Sequence, residues 1–316
     1  MNSSSRRAFL KRSILSCSSI PLISEWSRLQ AADTPAAAGH PSAAESAVCC
    51  EKKGCKMRLG FVTYLWGQDW DLPTVIANCE KSGILGIELR VEHKHEVKPS
   101  MSAEQRKEVR KRFKDSPVIF VGMGTNEQFD FPEPEKLQKA IENAKAFVKL
   151  SYDCGGSGVK VKPNQFYPNV PQEKTLEQIG KSLNIVGRYA ADFKQQIRLE
   201  VHGQCAPLPY IKTIMDFADH PNVTVCWNCN DEDLKEPGLE SNFNLVSKRF
   251  GDTVHVRELN EGKYPYAKLM DLFVGIDFKG WVLLEARTEP KDRVAAMIEQ
   301  KKVFDKMIAD SQSRIS

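Results

Sequence analysis

Five polar residues sit at the ends of β-rich runs: Glu200 and His202 in IRLEVHG, Asn228 in VTVCWNCN, His255 in DTVHVRE and Glu285 in WVLLEAR. Carboxylates and imidazoles are the side chains that hold divalent ions or move protons near neutral pH. None of these segments is a motif by itself; their value lies in position. Each run is followed by a turn and a helical stretch, and in a parallel α/β barrel all strand C-termini open on one face. Residues far apart in the chain would then meet at one point.

The elements that would carry them alternate regularly. Strands are expected over 57–65, 84–91, 117–122, 158–162, 197–201, 223–227, 253–257 and 280–285. Helices are expected after each, over 72–82, 102–114, 134–150, 172–193, 208–219, 239–250, 266–275 and 291–308. Pro73 suits the first turn of the first helix, and Leu137, Ile141, Ala144 and Val148 keep helical spacing in the third. Eight β-then-α units in about 250 residues have the number and size of a single (β/α)8 TIM barrel. The competing doubly wound sheet needs a glycine-rich turn after its first strand. Here that turn reads Gly67-Gln68-Asp69-Trp70-Asp71.

The chain has 316 residues, 41% hydrophobic and 27% charged, with a formal net charge of +4. Residues 1–31 carry that whole excess, through Arg6, Arg7, Lys11, Arg12 and Arg28 against Glu25. The remainder is neutral and offers no electrostatic footprint for nucleic acid. Ser5-Arg6-Arg7-Ala8-Phe9-Leu10-Lys11, followed by a modest apolar stretch, resembles a twin-arginine export signal. The expected organisation is a signal peptide over 1–31, a flexible linker over 32–56, the barrel over 57–310 and a tail over 311–316. It implies a periplasmic or otherwise extracytoplasmic protein without stable membrane association once the signal is cleaved. The nine cysteines follow no disulfide framework. Cys226-Trp227-Asn228-Cys229 has no second pair to complete a zinc site, so core or rim thiols are expected there. Cys49, Cys50 and Cys55 lie in the linker, open to metal or disulfide chemistry after export or to a plain tethering role.

The segments Gly86-Ile87-Glu88-Leu89-Arg90, Glu200-Val201-His202-Gly203, His255-Val256-Arg257-Glu258 and Leu284-Glu285 resemble the xylose-isomerase-like TIM-barrel superfamily of sugar isomerases and epimerases. The resemblance implies one divalent cation, Mn or Mg, held by Glu200, Asn228, His255 and Glu285. It also implies that Glu200 and Glu285 exchange a proton beside a carbonyl that the cation polarises. Asn228 departs from the pattern, because an amide replaces the family's aspartate and removes one negative charge. Lower metal affinity is expected, with a metal-free site as the alternative. Asp231 and Asp233 offer either a substitute carboxylate or a cap for the next helix. The bland reading of Glu200 and Glu285 is structural pairing with Arg257 and Arg287.

Further polar strand ends suit a sugar pocket: Glu88, Arg90, His93, His95, Lys160, Lys162, His202 and Arg257, with Trp66 after the first strand for stacking on a ring. Lys160 and Lys162 point the same way in a strand; facing inward, they suit an anionic or oxidised sugar. Each also has a structural reading, as an ion-paired or packed side chain. The leading expectation is an exported sugar or keto-sugar isomerase or epimerase acting on a small-molecule carbohydrate. The alternatives are a lyase or hydrolase that abstracts the same proton from oxidised glycosides, and a non-catalytic sugar-binding barrel. An apurinic endonuclease on this fold would need three zinc ions and many histidines, against six in the chain. Barrels of this family often dimerise, so a homodimer is an option.

Overall fold

In the computed structural model, which describes residues 52–315, eight parallel strands alternate with eight α-helices. The strands are β1 Arg58–Val62, β2 Gly86–Arg90, β3 Ile119–Gln128, β4 Gly158–Lys162, β5 Gln196–Glu200, β6 Val223–Cys226, β7 Thr253–Val256 and β8 Trp281–Leu284. The helices are α1 Leu72–Ser82, α2 Ala103–Lys114, α3 Pro134–Cys154, α4 Gln172–Asp192, α5 Leu208–Phe217, α6 Leu239–Val246, α7 Tyr266–Gly275 and α8 Arg293–Ile315. The ladder runs β6-β5-β4-β3-β2-β1-β8-β7, all parallel. Between β6 and β7 the ring is drawn together by backbone bonds from His255 N to Trp227 O (2.7 Å) and Gly251 N to Val225 O (3.2 Å). This is the single (β/α)8 barrel that the alternation predicts.

Local chemistry explains the element ends. Asp71 accepts from Thr74 N to start α1, and Ser102 and Gln105 form a capping box for α2. Gly83 and Gly155 end α1 and α3 in the left-handed conformation. Outward strand residues such as Ile87, Leu89, Val159, Ile197, Val225 and Val254 pack with the helix faces in the main core. A second, smaller cluster fills the barrel interior: Val62, Val121, Trp281 and Leu283.

Three boundaries differ from expectation. β3 continues six residues beyond Gly122, to Gln128, because its inward positions are glycines and polar residues that break the apolar run without breaking the extended backbone. The residues just before the barrel are tied down: Gly54 N donates to Asp277 Oδ1 (2.9 Å) and Gln312 Nε2 to Lys53 O (3.1 Å). So 52–56 join the barrel rather than the linker. At the far end α8 runs to Ile315, with Ser311 buried and Arg314 paired to Asp271 at 2.6 Å, where a tail separate from the barrel was expected. The signal, most of the linker, Cys49 and Cys50 lie outside the described residues. No helix among the described residues is long and apolar enough to cross a membrane.

Candidate active site

Glu200, Asn228, His255 and Glu285 come from the C-terminal ends of β5, β6, β7 and β8, or the residues directly after them, and all four are buried. One ligand atom each from Glu200, His255 and Glu285 lies within 4.8 Å of the other two. Ligands that share one hard cation at about 2.0–2.5 Å have such separations. Asn228 Nδ2 donates to Glu200 Oε1 at 2.9 Å, which leaves Asn228 Oδ1 buried with no hydrogen-bond partner. His255 stands between two carboxylates, Nε2 3.3 Å from Glu88 Oε1 and Nδ1 3.5 Å from Glu200 Oε1. Neither ring nitrogen makes an aligned hydrogen bond. Buried polar atoms are rarely left unmatched. An unpartnered amide oxygen and imidazole beside the Glu200 and Glu285 carboxylates fit a divalent cation, which Asn228 would serve through its oxygen.

Lys160 takes its structural reading, as an ion-paired side chain, rather than that of a substrate contact. Its ammonium, fully buried, donates to Glu200 Oε2 at 2.6 Å and to Thr125 O at 3.3 Å. Burial alone would push the Glu200 carboxyl up. Lys160, then His255 and His202, overcome this and hold it well below the usual carboxylate range. Glu88 follows the same pattern: burial raises it, while His255, Lys160 and Arg198 bring it down. At His255 burial opposes the charged ring, but Cys226, Glu88 and Glu200 raise its pKa well above the ordinary value. Structural pairing of Glu200 with Arg257 is not what forms; its partner is Lys160. Glu285 does pair with Arg287, as the structural reading has it, with Nη2 at 3.7 Å.

The other candidates divide. Arg90, Lys162 and His202 stand at the mouth. Arg90 Nη2 and Lys162 Nζ both donate to Asn126 Oδ1, at 3.0 and 3.1 Å. Burial, then the Lys160 charge, lowers Lys162 to about 8. Burial lowers His202 to about 4, so its ring is neutral at pH 7. Gly124 makes this packing possible, since a Cβ there would sit 2.4 Å from Glu88 Oε1 and 3.0 Å from Arg90 Cδ. Asn126 escaped notice because β3 was expected to end at Gly122; the period-two series Gly122, Gly124, Asn126 is the signal that would have found it.

His95 and Trp66 face other duties. Val97 N donates to His95 Nδ1 at 3.1 Å, so Nε2 carries the proton and donates to Arg90 O at 2.7 Å. Both nitrogens are thus spent on backbone. Trp66 is 2% exposed and its indole N–H donates to Thr288 O at 2.8 Å; it is packed, with no face for a sugar. His93 is half-buried, its Nδ1 3.2 Å from Thr63 Oγ1. Arg257 has no carboxylate within 4.0 Å among the described residues, and its Nε is buried without a partner. Glu258 Oε1 accepts from Arg287 N, Thr288 N and Thr288 Oγ1 at 2.6–2.9 Å, which ties the loop after β7 to the loop after β8. Asp233 accepts from Asn230 N and Tyr264 Oη, the capping role. Burial raises it to about 7. Cys226 and Cys229 are buried thiols facing backbone carbonyls.

The family profile of the xylose isomerase-like TIM barrel matches residues 76–307. No curated protein matches the chain. Solved structures with the same fold include an L-ribulose 3-epimerase, at TM-score 0.71 and 14% identity, covering 82% of this chain and 96% of that one. A 3-keto-D-glucoside 4-epimerase from E. coli superposes at 0.68 with 13% identity, over 79% and 100%. A D-allulose 3-epimerase from Methylomonas sp., solved with D-allulose, does so at 0.68 with 16% identity, over 80% and 97%. At such identities the likeness carries the fold, and with the profile match over most of the chain it places the protein in the xylose isomerase-like TIM barrel family.

Proposed function

We propose that this protein is an exported sugar or keto-sugar isomerase or epimerase that moves a proton on a carbon next to a carbonyl. Glu200 and Glu285 are the acid–base pair of this reading. The observation that carries it is the convergence of Glu200, His255 and Glu285 ligand atoms within 4.8 Å at the barrel mouth. The three epimerases that share the fold support it. Glu200, Asn228, His255 and Glu285 would hold a divalent cation, Mn or Mg, which supplies polarisation of the substrate carbonyl and so acidifies the neighbouring C–H.

The chain's own groups do the rest. The Lys160 ammonium keeps Glu200 ionised, so a base is present at neutral pH. Glu285, nearly buried at the mouth, provides the second carboxyl. One acid accepts the C–H proton and the other delivers a proton to the opposite face, so the two carboxyls exchange protonation states and proton exchange with solvent restores them before the next turnover. Residues packed around the acids exclude bulk water, which strengthens these interactions. Export rests on the Arg6-Arg7 segment.

The test joins metal analysis of purified protein with deuterium uptake from D2O into ketoses, followed by NMR. Bound Mn or Mg together with exchange is expected, and Glu285→Gln should slow exchange by about 10²- to 10⁴-fold. Saccharide binding with neither metal nor exchange would reject the enzyme reading in favour of a sugar-binding barrel.

A further inference from the structure

Most buried or half-buried cations of this barrel have a carboxylate. Lys160 has Glu200, Arg106 has Asp153 at 2.8 Å, and fully buried Arg198 has Asp252 at 3.7 Å. Arg249, Arg257, Arg90 and Lys162 lack one; Arg249 is spent on backbone carbonyls, and Arg90 and Lys162 stand out because they meet. They converge from β2 and β4 on one neutral acceptor, Asn126 Oδ1. Among the described residues neither has a carboxylate within 4.0 Å. Arg90 is only 8% exposed, and its Nε is buried with no partner. Besides the Tyr64 ring, whose centroid is 5.9 Å from its Cζ, its remaining hydrogen bond, Nη1 to Thr125 O, is long at 3.4 Å. A buried guanidinium without an anion is costly, and a charge left so is accounted for when a ligand supplies the counter-charge.

We propose that Arg90, Lys162 and Asn126 form a carboxylate subsite, so that the substrate of the site is a sugar acid or an oxidised glycoside bearing a carboxylate rather than a neutral ketose. This rests on the carbohydrate reading above and narrows it. The accessible donors are the protons of Lys162 Nζ not given to Asn126, with the buried Arg90 charge behind them; a two-oxygen monoanion suits this pair, whereas a phosphate presents three terminal oxygens. Lys160 is no part of the subsite, because Glu200 and Thr125 already engage it. Glu200 and Glu285 both act on the Lys162 charge, so an anion bound there would lie beside the acid–base pair. Burial, then the Lys160 charge, lowers the pKa of Lys162, and Glu200 and Glu285 only partly oppose this.

Titration calorimetry on the purified protein tests this with D-glucuronate and D-galacturonate, their parent hexoses, and glucose 6-phosphate. The hexuronates should bind about 10- to 100-fold more tightly than the hexoses, the range of one or two charge-assisted hydrogen bonds. Lys162→Met should bring hexuronate affinity to within a few-fold of hexose affinity, and added salt should weaken hexuronates alone. Lys162 is partly exposed, so this variant keeps the barrel intact where Arg90→Gln fails to fold. Equal affinity for acid and neutral sugars, a preference that survives Lys162→Met, tighter glucose 6-phosphate, or no binding of any probe each overturns the subsite. Tight hexuronate binding without deuterium exchange leaves the subsite standing and overturns the isomerase reading instead. Exchange in neutral ketoses without hexuronate preference does the reverse.

Discussion

The barrel interior holds two regions of opposite character. One is an apolar plug of Val62, Val121, Trp281 and Leu283. It is flanked by cations whose needs are met: Arg58 lies 3.9 Å from the Trp281 ring centroid, and Arg198 donates to Val121 O, Ser157 Oγ and Gln196 Oε1. The other is the polar cluster of Glu88, Lys160, Glu200, Asn228 and His255, joined by Arg90 at the mouth. There the Glu88 carboxylate, Asn228 Oδ1, both His255 nitrogens and Arg90 Nε are buried without hydrogen-bond partners. Both regions lie inside one ring of strands, so burial alone does not separate them. Satisfaction does. The plug has minimised its free energy as a core; the cluster holds unspent bonding capacity, the signature of a place that receives something.

Variants can break that contrast. The largest loss is expected from Trp281→Ala, which empties the plug and should cost about 3–5 kcal/mol. Chemical denaturation should show this loss, unchanged by Mn or by sugars. Next comes Lys160→Met, which strands the Glu200 charge in the interior and should cost about 3 kcal/mol in metal-free protein. Because the ammonium and a cation compete for Glu200 Oε2, added Mn should recover much of that loss, and Mn affinity should rise. If Mn leaves the melting temperature of Lys160→Met where it was, Glu200 is not a ligand. The smallest effect is expected from Asn228→Asp. A second carboxylate beside Glu200 should lower metal-free stability slightly and tighten Mn by about tenfold, or about 1.4 kcal/mol. Unchanged Mn affinity would place residue 228 outside the coordination shell.

Much of this was legible in the chain. Hydrophobic runs of strand length alternating with helical patterns located all eight strands, because a buried parallel strand must be apolar on its helix-facing side. Polar residues at the ends of those runs named Glu200, Asn228, His255 and Glu285, since a polar group at a strand end has few other places to go in this architecture. The misreadings share a cause. β3 looked finished at Gly122 because Gly124 and Asn126 are poor strand formers, yet a glycine is what the packed Glu88 and Arg90 side chains require there. Trp66 and His95 looked like ligand contacts because loop residues carry no periodicity from which direction can be read. Thr288 O and the Val97 and Arg90 backbone turned both toward the protein.

The sequence by itself determined that eight strands would close a barrel and that two acids and an imidazole would stand at its mouth; periodicity is a local property, and each strand carries its own. Only the tertiary structure decided which charges meet. Lys160 finds Glu200 across neighbouring strands, Arg90 and Lys162 share Asn126 and find no acid, and Arg287 reaches Glu285 at 3.7 Å. Those pairings depend on strand register and barrel stagger, which are set by the packing of the whole ring and are written in no single segment.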